Sequence, residues 1–232
     1  MWPFHRKQTL VQRGILQGFT DWHSHLLPGV DDGVQTLDES LRILAEYERL
    51  GVRAVWLTPH VMEDIPNTPQ LLRERFQALQ SVYDGKVQLH LAAEHMLDNL
   101  FEERLAAGEV LPLGDNRHLL VETSYYNPPL HLYDLLRHIQ ARGYHPVLAH
   151  PERYRYMEIR DYHRLKDMHI HLQVNLLSLI DGYGKQVARR AHWLLRHPGY
   201  VNLLGSDIHS LANWHYLKNG NCRAFLLPTN QL

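Results

Sequence analysis

The sequence predicts a single α/β barrel, because short apolar runs alternate with amphipathic helical segments along its 232 residues. Seven runs end abruptly in a polar residue. Their ends lie roughly 25–37 positions apart, about the length that one strand and one helix of a barrel need. An open, doubly wound sheet is the alternative arrangement of such strands. The seven runs are residues 18–25, 54–60, 87–94, 119–122, 146–150, 172–175 and 201–207.

Start and stop signals place helices between these runs. Thr36 has capping-box spacing ahead of an apolar stripe, and Pro69 follows a capping threonine at a first helical position. Pro128 follows an asparagine in the same way, so a third helix is predicted from that point to a stop at Gly143. Apolar residues at helical spacing over 187–195 mark a later helix.

Length and composition favour one domain over residues 1–232, with an N-terminal arm at 1–17 and a divergent tail at 211–232. A net charge of -1 favours neither nucleic acid nor a membrane surface as the main partner. The one cysteine, Cys222, excludes a disulfide within the chain. No apolar run has the length of a signal peptide or a membrane span, so we expect a cytoplasmic protein.

Histidine or acidic side chains stand at the ends of six of the seven runs. His23 and His25 are two residues apart, and they therefore project from one face of a strand. Because the carboxyl ends of barrel strands converge on one mouth, residues far apart in sequence would line a single pocket there. The other candidates are His60, Glu94, Glu122, His150, Asp207 and His209.

Nitrogen and oxygen ligands without sulfur suit manganese, iron or zinc. This set is too large for one tetrahedral ion, and two or three ions would share it. A carboxylate such as Glu94 can bridge ions, and paired ions generate hydroxide at neutral pH. A cysteine-nucleophile tyrosine phosphatase is excluded, since Cys222 is the only thiol and no arginine-ended phosphate loop follows it. A serine hydrolase is unsupported, since the chain has no Gly-x-Ser-x-Gly. A glycine-rich nucleotide loop is also absent from the sequence.

Ordered motifs extend this pattern over residues 14–210. They are His23-Ser24-His25, residues 27–33, Thr58-Pro59-His60, residues 149–154 and Ser206-Asp207-Ile208-His209, with support at 64–69, 127–130 and 175–178. In these motifs the chain resembles the polymerase-and-histidinol-phosphatase (PHP) superfamily. More narrowly, it resembles the bacterial manganese-dependent protein-tyrosine phosphatases of capsular and exopolysaccharide gene clusters.

The resemblance implies a distorted (β/α)7 TIM-like barrel with a trinuclear metal site, most readily of Mn2+ and alternatively of Fe or Zn. In the family, the ligand is the second of the two aspartates that precede a glycine. This implies Asp32 as the ligand here and leaves Asp31 as a residue of the turn before Gly33. One ion would be held by His23, His25, Glu94 and Asp207, a second by Glu94, Glu122 and His150, and a third by Asp32, His60 and His209.

The resemblance also implies the reaction, which is hydrolysis of phosphotyrosine by metal-activated hydroxide on a tyrosine kinase of capsule or exopolysaccharide export. Arg153 would be a catalytic residue that binds the phosphate with its forked donor, or alternatively would form a structural salt bridge at the barrel mouth. His209 is the candidate for protonating the leaving oxygen. Two other functions stay open: a small-molecule phosphomonoesterase of the histidinol-phosphatase type, and a non-catalytic metal-binding regulatory protein.

Past His209 the sequence departs from the family pattern. The arginine that family members carry a few residues beyond this histidine, and that would bind phosphate, is absent from residues 210–215. No long closing helix is expected after it, and residues 225–228 predict an irregular end. This departure puts full phosphate binding and closure of the barrel in question, but not the metal ligands.

Overall fold

The computed structural model describes residues 8–223 and 225, and short strands recur along that length. Most are four or five residues long, as the apolar runs predict. The strands are β1 (Gln8–Thr9), β2 (Thr20–Ser24), β3 (Ala54–Leu57), β4 (His60–Val61), β5 (Gln88–Leu91), β6 (Glu94–Met96), β7 (His118–Glu122), β8 (His145–Ala149), β9 (His171–Asn175), β10 (Leu203–Gly205) and β11 (Asn221–Cys222).

The parallel strands form a ring. β2, β3 and β5 are neighbours in that order, and so are β4, β6, β7, β8, β9 and β10. β4 continues the line of β3, and β6 continues the line of β5, which leaves seven strand lines. β10 lies beside β2, where the Asp207 amide donates to the His23 carbonyl at 2.8 Å and the His25 amide donates to the Ile208 carbonyl at 3.0 Å. The predicted distorted barrel is confirmed, and the open doubly wound sheet is excluded.

Helices connect the strands on the outside of the ring. Two predicted starts are confirmed: Thr36 caps α1 by accepting the Glu39 amide at 3.3 Å, and Pro69 opens α2 behind its Thr68 cap. The helices of the described chain are α1 (Leu37–Arg49), α2 (Pro69–Val82), α3 (Phe101–Ala107), α4 (Leu132–Ala141), α5 (Ile159–Asp167), α6 (Lys185–Arg196) and α7 (Leu211–Asn219), with short 3-10 turns at Pro151–Arg153 and Leu176–Ile180.

The predicted start of the third helix at Pro128 is wrong. α4 begins at Leu132, after His131 in a left-handed conformation with φ 60°. The reason is the second proline, since the residue before a proline is pushed out of the helical region and Pro128 precedes Pro129. The predicted stop is confirmed, because Gly143 follows the helix end with φ 77°.

The segment after His209 is more ordered than its divergent sequence predicts. Ser210 caps the nine-residue α7 by accepting the Asn213 amide at 3.2 Å. Trp214 is buried against Tyr47 of α1, with ring centroids 4.7 Å apart. β11 then pairs with β1 of the N-terminal arm. A short closing helix is therefore present, while the predicted irregular end at 225–228 lies outside the described residues except for residue 225.

The interior of the barrel is layered. A small apolar cluster, distinct from the main core beneath the helices, fills the middle and includes Leu120, Val147 and Leu203. It separates the polar mouth at the carboxyl ends of the strands from histidines at the opposite end. There, burial and the neighbouring His171 lower the pKa of His118 to about 4, so this imidazole is neutral at pH 7. None of the helices in residues 8–223 is long and apolar enough to cross a membrane.

We expect the substitution Trp214→Ala to lower the free energy of unfolding by about 3–5 kcal/mol, because it empties a fully buried aromatic site between α7 and α1. Urea unfolding followed by circular dichroism measures this. The control is Tyr216→Ala on the same helix, where the side chain is 54% exposed and the change should stay within about 0.5 kcal/mol. Equal effects of the two substitutions would contradict the closing role of α7.

Candidate metal centre

All the predicted metal-ligand residues meet at the mouth of the barrel. Most are buried, whereas the side chain of Asp32 is 66% exposed at the rim. They fall into overlapping groups whose ligand atoms lie within 4.8 Å of one another. The groups are His25 with Asp32, His60 and His209; His23 with His25 and Asp207; His23 with Glu94 and His150; and His60 with Glu94 and Glu122.

The carboxylate of Glu94 lies at the centre of these groups. Its Oε2 is 3.1 Å from His23 Nε2, 3.4 Å from His25 Nε2 and 3.2 Å from His60 Nδ1. Its Oε1 is 2.9 Å from His150 Nε2. The side chain is completely buried, yet neither oxygen has a hydrogen-bond partner of good geometry among the described residues. Such a carboxylate needs cationic neighbours to be tolerated in the protein interior.

The imidazoles of His23 and His25 are held so that one nitrogen of each faces the other. His23 Nδ1 lies 2.9 Å from Gln173 Oε1, and His25 Nδ1 lies 2.8 Å from Asp31 Oδ2. Both acceptors favour the tautomer with hydrogen on Nδ1, which leaves the lone pair on Nε2. The two Nε2 atoms are 3.1 Å apart. Two lone pairs at that distance repel each other unless a proton or a metal ion lies between them.

The carboxylates of the centre favour protonation of two imidazoles that they surround. Burial alone would lower the pKa of His23, but the charges of Glu94 and Asp207 outweigh it and raise that pKa to about 9. Burial is likewise outweighed for His25, whose pKa is raised well above its usual value by Asp31 and Asp207. Burial would raise the pKa of Glu94, but the neighbouring imidazoles hold it well below the usual range. The centre therefore demands positive charge.

Divalent metal ions fit this donor set. Besides both Glu94 oxygens, the buried Glu122 Oε1 and His60 Nδ1 lack hydrogen-bond partners of good geometry, although the two atoms are only 2.9 Å apart. Imidazole nitrogens and carboxylate oxygens without thiolate are ligands of manganese, iron and zinc. The grouping differs from the predicted division. His25 also joins the group of Asp32 and His209, His23 also joins that of His150, and Glu122 is grouped with His60 and not with His150. His60 takes part in two groups, with Nε2 facing Asp32 at 3.5 Å and Nδ1 facing Glu94 and Glu122.

Arg153 lies at the edge of a cavity of about 350 Å³ that opens over the metal-ligand residues. Its Nη1 donates to Asp207 Oδ2 at 2.7 Å. Its guanidinium carbon lies 4.2 Å from the ring centre of Tyr125 and 4.1 Å from that of Tyr183. Burial would lower the pKa of Arg153, but Asp207 and the tyrosines raise it, so the side chain keeps its charge. Arg153 therefore forms the salt bridge that was one alternative for it, and it also lines the cavity, as the alternative of phosphate binding requires.

His209 lines the same cavity, with its ring stacked on His25 at a centroid distance of 3.9 Å. Its Nδ1 is 2.9 Å from the backbone carbonyl oxygen of Asp207, which places the hydrogen on Nδ1 and the lone pair on Nε2. That Nε2 lies 3.6 Å from Asp32 Oδ1. Burial and the charge of His25 lower the pKa of His209 to about 4. A neutral imidazole in this tautomer suits a metal ligand better than a proton donor.

Three side chains that support the centre were missed in the sequence. Asp31, which reads as a turn residue, orients His25 and also accepts the His60 amide at 3.0 Å. Gln173 orients His23 from β9. Asp21 is fully buried and accepts the Tyr47 hydroxyl at 2.7 Å and the Ser206 amide at 2.7 Å. The alternation of β2 and β9 was the available signal, since it points Gln173 to the same side as Asn175.

Known proteins share both the sequence and this fold. The family model described as capsular polysaccharide synthesis, CpsB/CapC, matches residues 19–223. Tyrosine-protein phosphatase YwqE of Bacillus subtilis (strain 168) is 30% identical over 206 residues, which are 84% of this chain and 80% of the relative. Tyrosine-protein phosphatase CpsB of Streptococcus pneumoniae is 31% identical over 204 residues, which are 82% of this chain and 83% of the relative.

A solved structure agrees with these relatives. It comes from crystal structures of YwqE from Bacillus subtilis and CpsB from Streptococcus pneumoniae, described as metal-dependent tyrosine phosphatases. The TM-score is 0.74 at 28% sequence identity, and the match covers 84% of this chain and 81% of the other. The family model spans most of the barrel, including every strand that contributes to the mouth. The chain therefore belongs to the CpsB/CapC family of capsular polysaccharide synthesis.

Proposed function

We propose that this protein is a metal-dependent protein-tyrosine phosphatase that hydrolyses phosphotyrosine at the mouth of its barrel. One observation carries the proposal: a completely buried carboxylate, Glu94, is surrounded by imidazoles and has no hydrogen-bond partner of good geometry among the described residues. Such a site is built to hold cations. Membership of a family whose relatives are tyrosine-protein phosphatases supports the reaction class.

The ions would be held by the residues already placed at the mouth, with manganese as the metal of first choice. Bound there, they would supply positive charge for the phosphoryl oxygens and lower the pKa of water near the phosphorus. The ligand set is His23, His25, Asp32, His60, Glu94, Glu122, His150, Asp207 and His209.

Arg153 is the proposed substrate-binding group. A guanidinium has five N–H donors, and only one of those in Arg153 is committed to Asp207. The ring contacts with Tyr125 and Tyr183 hold its plane, so the remaining donors keep one orientation toward a phosphoryl group. The same two tyrosines give the cavity an aromatic wall that suits the ring of a phosphotyrosine.

His209 is better suited to hold an ion than to protonate the leaving group. Its hydrogen is directed to a backbone carbonyl, and its lone pair is directed to the mouth. Hydrolysis can proceed without a proton donor for the leaving oxygen, because a phenolate leaves more readily than an alkoxide. We therefore assign its catalytic contribution to metal binding.

The substrate that we propose is a bacterial tyrosine kinase of capsule or exopolysaccharide export, and the place of action is the cytoplasm. The support is the family's description as capsular polysaccharide synthesis together with the phosphatase names of the relatives. The alternative of a histidinol-phosphate type of phosphatase uses the same metal chemistry, so only the substrate preference separates the two.

Hydrolysis of a phosphotyrosyl peptide should be lost after treatment with EDTA and restored by Mn2+. The same metal-loaded protein should turn over the peptide much faster than histidinol phosphate. Release of inorganic phosphate measures both. Activity that survives thorough chelation would overturn the metal mechanism, and a strong preference for histidinol phosphate would overturn the substrate.

The substitution Asp31→Asn should weaken metal binding by about 10–100-fold, because it removes the charge that orients His25 without removing a proposed ligand. Titration of the chelated protein with Mn2+ in a calorimeter measures the affinity. The matched control is Asp38→Asn, which makes the same change at a 73% exposed side chain on α1. An affinity equal to that of the control would show that Asp31 belongs only to the turn.

Metal binding should release protons and should strengthen as the pH rises. In the ion-free protein the pKa of His23 is about 9, so at pH 7 its imidazole carries a proton that a metal ion must displace. The affinity should therefore increase from pH 6 toward pH 9 and then level off. Calorimetry in two buffers of different ionisation enthalpy counts the protons released per chain, and a count near zero with a pH-independent affinity would contradict this.

A further inference from the structure

A second cavity, of about 440 Å³, runs along one face of α6 on the flank of the barrel. Lys185, Arg189, His192 and Arg196 line it, at intervals that place them along a single side of the helix. The opposite side of α6, including Ala191 and Leu194, is buried in the core. The other wall comes from the segment after β9, from Asn221 and Cys222 of β11, and from Arg223. We call this cavity the α6 groove.

The α6 groove is strongly positive. Its lining includes the cations of Lys185, Arg189, Arg196 and Arg223, against the single carboxylate of Asp181. None of these four cations takes part in a salt bridge or a side-chain hydrogen bond within residues 8–223. Unpaired cations gathered around one concavity repel each other, and a bound anion would relieve that repulsion.

The start of α6 increases this positive potential. Its first turn has no acidic residue and begins with Lys185, and Gly184 before it provides no side-chain cap. Helices usually carry acids at this end, because the N-terminus of a helix is positive. A lysine in the first turn is the opposite arrangement, and it adds to the attraction for an anion lying in the groove.

His192 adds a neutral hydrogen-bond donor to the lining of the groove. Its side chain is only 9% exposed and lines the groove, but it forms no hydrogen bond with another residue of the described chain. Burial and the nearby Arg196 and Arg223 lower its pKa, so it remains a neutral imidazole with one N–H to donate. Its ring nitrogens are not sealed from solvent, so its N–H can donate to a ligand in the groove.

The groove and the catalytic mouth share one wall. In the segment that follows β9, Leu177 and Tyr183 line the mouth, whereas Leu179 and Asp181 line the groove. The two cavities therefore lie on either side of a short piece of chain. A polypeptide extended over that wall would place one residue in the mouth and its neighbours in the groove.

We propose that the α6 groove binds an acidic stretch of the protein substrate, close in sequence to the phosphotyrosine that enters the mouth. This rests on the proposed phosphatase function. Lys185 and Arg196 are eleven residues apart, so the cationic face is roughly 16 Å long at 1.5 Å per helical residue. An extended peptide covers that length with about five residues at roughly 3.3 Å each.

Charge complementarity selects an acidic segment, and residues 1–7 and 224–232 contain no aspartate or glutamate. A stretch of substrate with several carboxylates, or with a second phosphoryl group, has the charge that matches the groove. The groove would thus select among phosphotyrosine sites by the residues around them, while the mouth selects the phosphotyrosine itself.

Kinetics with paired substrates test this proposal. The charge-reversed variant Arg189→Glu/Arg196→Glu is compared with Arg73→Glu/Arg75→Glu, which makes the same change at exposed positions on α2. The substrates are an acidic phosphotyrosyl peptide, the same peptide with its acids replaced by amides, and p-nitrophenyl phosphate. The groove variant should raise KM for the acidic peptide by about tenfold at low salt, with kcat unchanged. The amide peptide and p-nitrophenyl phosphate should be unaffected.

A binding measurement separates failure of the groove from failure of the phosphatase function. Fluorescence anisotropy with the labelled, unphosphorylated acidic peptide should show binding to the native chain and to the α2 variant, and a loss of about tenfold in the groove variant. Peptide binding of this kind without any hydrolysis would support the groove and overturn the phosphatase function. Equal KM values for acidic and amide peptides, or equal shifts in both variants, would overturn the groove proposal.

Discussion

The buried carboxylate of Glu94 is the constraint on which the rest of the mouth depends. It opens β6 opposite His60 of β4, in a parallel register that brings the two side chains to the same level of the barrel. A charged group with no solvent is costly unless cations surround it. Four imidazoles lie within 3.4 Å of it. The raised pKa values of His23, His25 and His60 favour their protonated forms, and their lone pairs are available when metal ions take that place.

The imidazoles can serve Glu94 only because other side chains fix their orientation. Gln173 and Asp31 hold the outer nitrogens of His23 and His25 and thereby turn the inner nitrogens toward each other. Asp21 binds the amide of Ser206 and the hydroxyl of Tyr47, so the strand that carries His23 is joined both to the loop that carries Asp207 and to α1. The same hydrogen bonds that close the ring of strands therefore also fix the positions of His23 and Asp207 in the centre.

Eight of the nine proposed ligand residues could be predicted because they follow apolar runs, and parallel strands bring the ends of these runs together. Asp32 follows no such run and came only from the family resemblance. The supporting residues could not be predicted. Asp31 stands before another aspartate and a glycine, where a turn explains it equally well. Gln173 lies within a strand and carries no metal signal of its own. The closing helix α7 was not predicted because its apolar residues form no stripe. Its position depends on the burial of Trp214 against Tyr47, 167 residues earlier in the chain.

Charge balance links the number of ions to the substrate. The proposed ligands include the carboxylates Asp32, Glu94, Glu122 and Asp207, and Asp31 adds a fifth negative charge against His25. Two divalent ions with the cation of Arg153 would only neutralise these five charges. Three ions with Arg153 would leave two positive charges, which equal the charge of a phosphomonoester dianion. The hydroxide that the ions would activate takes up one of these charges. A trinuclear centre would then still attract a phosphomonoester dianion, whereas a binuclear centre of the same residues would carry a net negative charge and repel it.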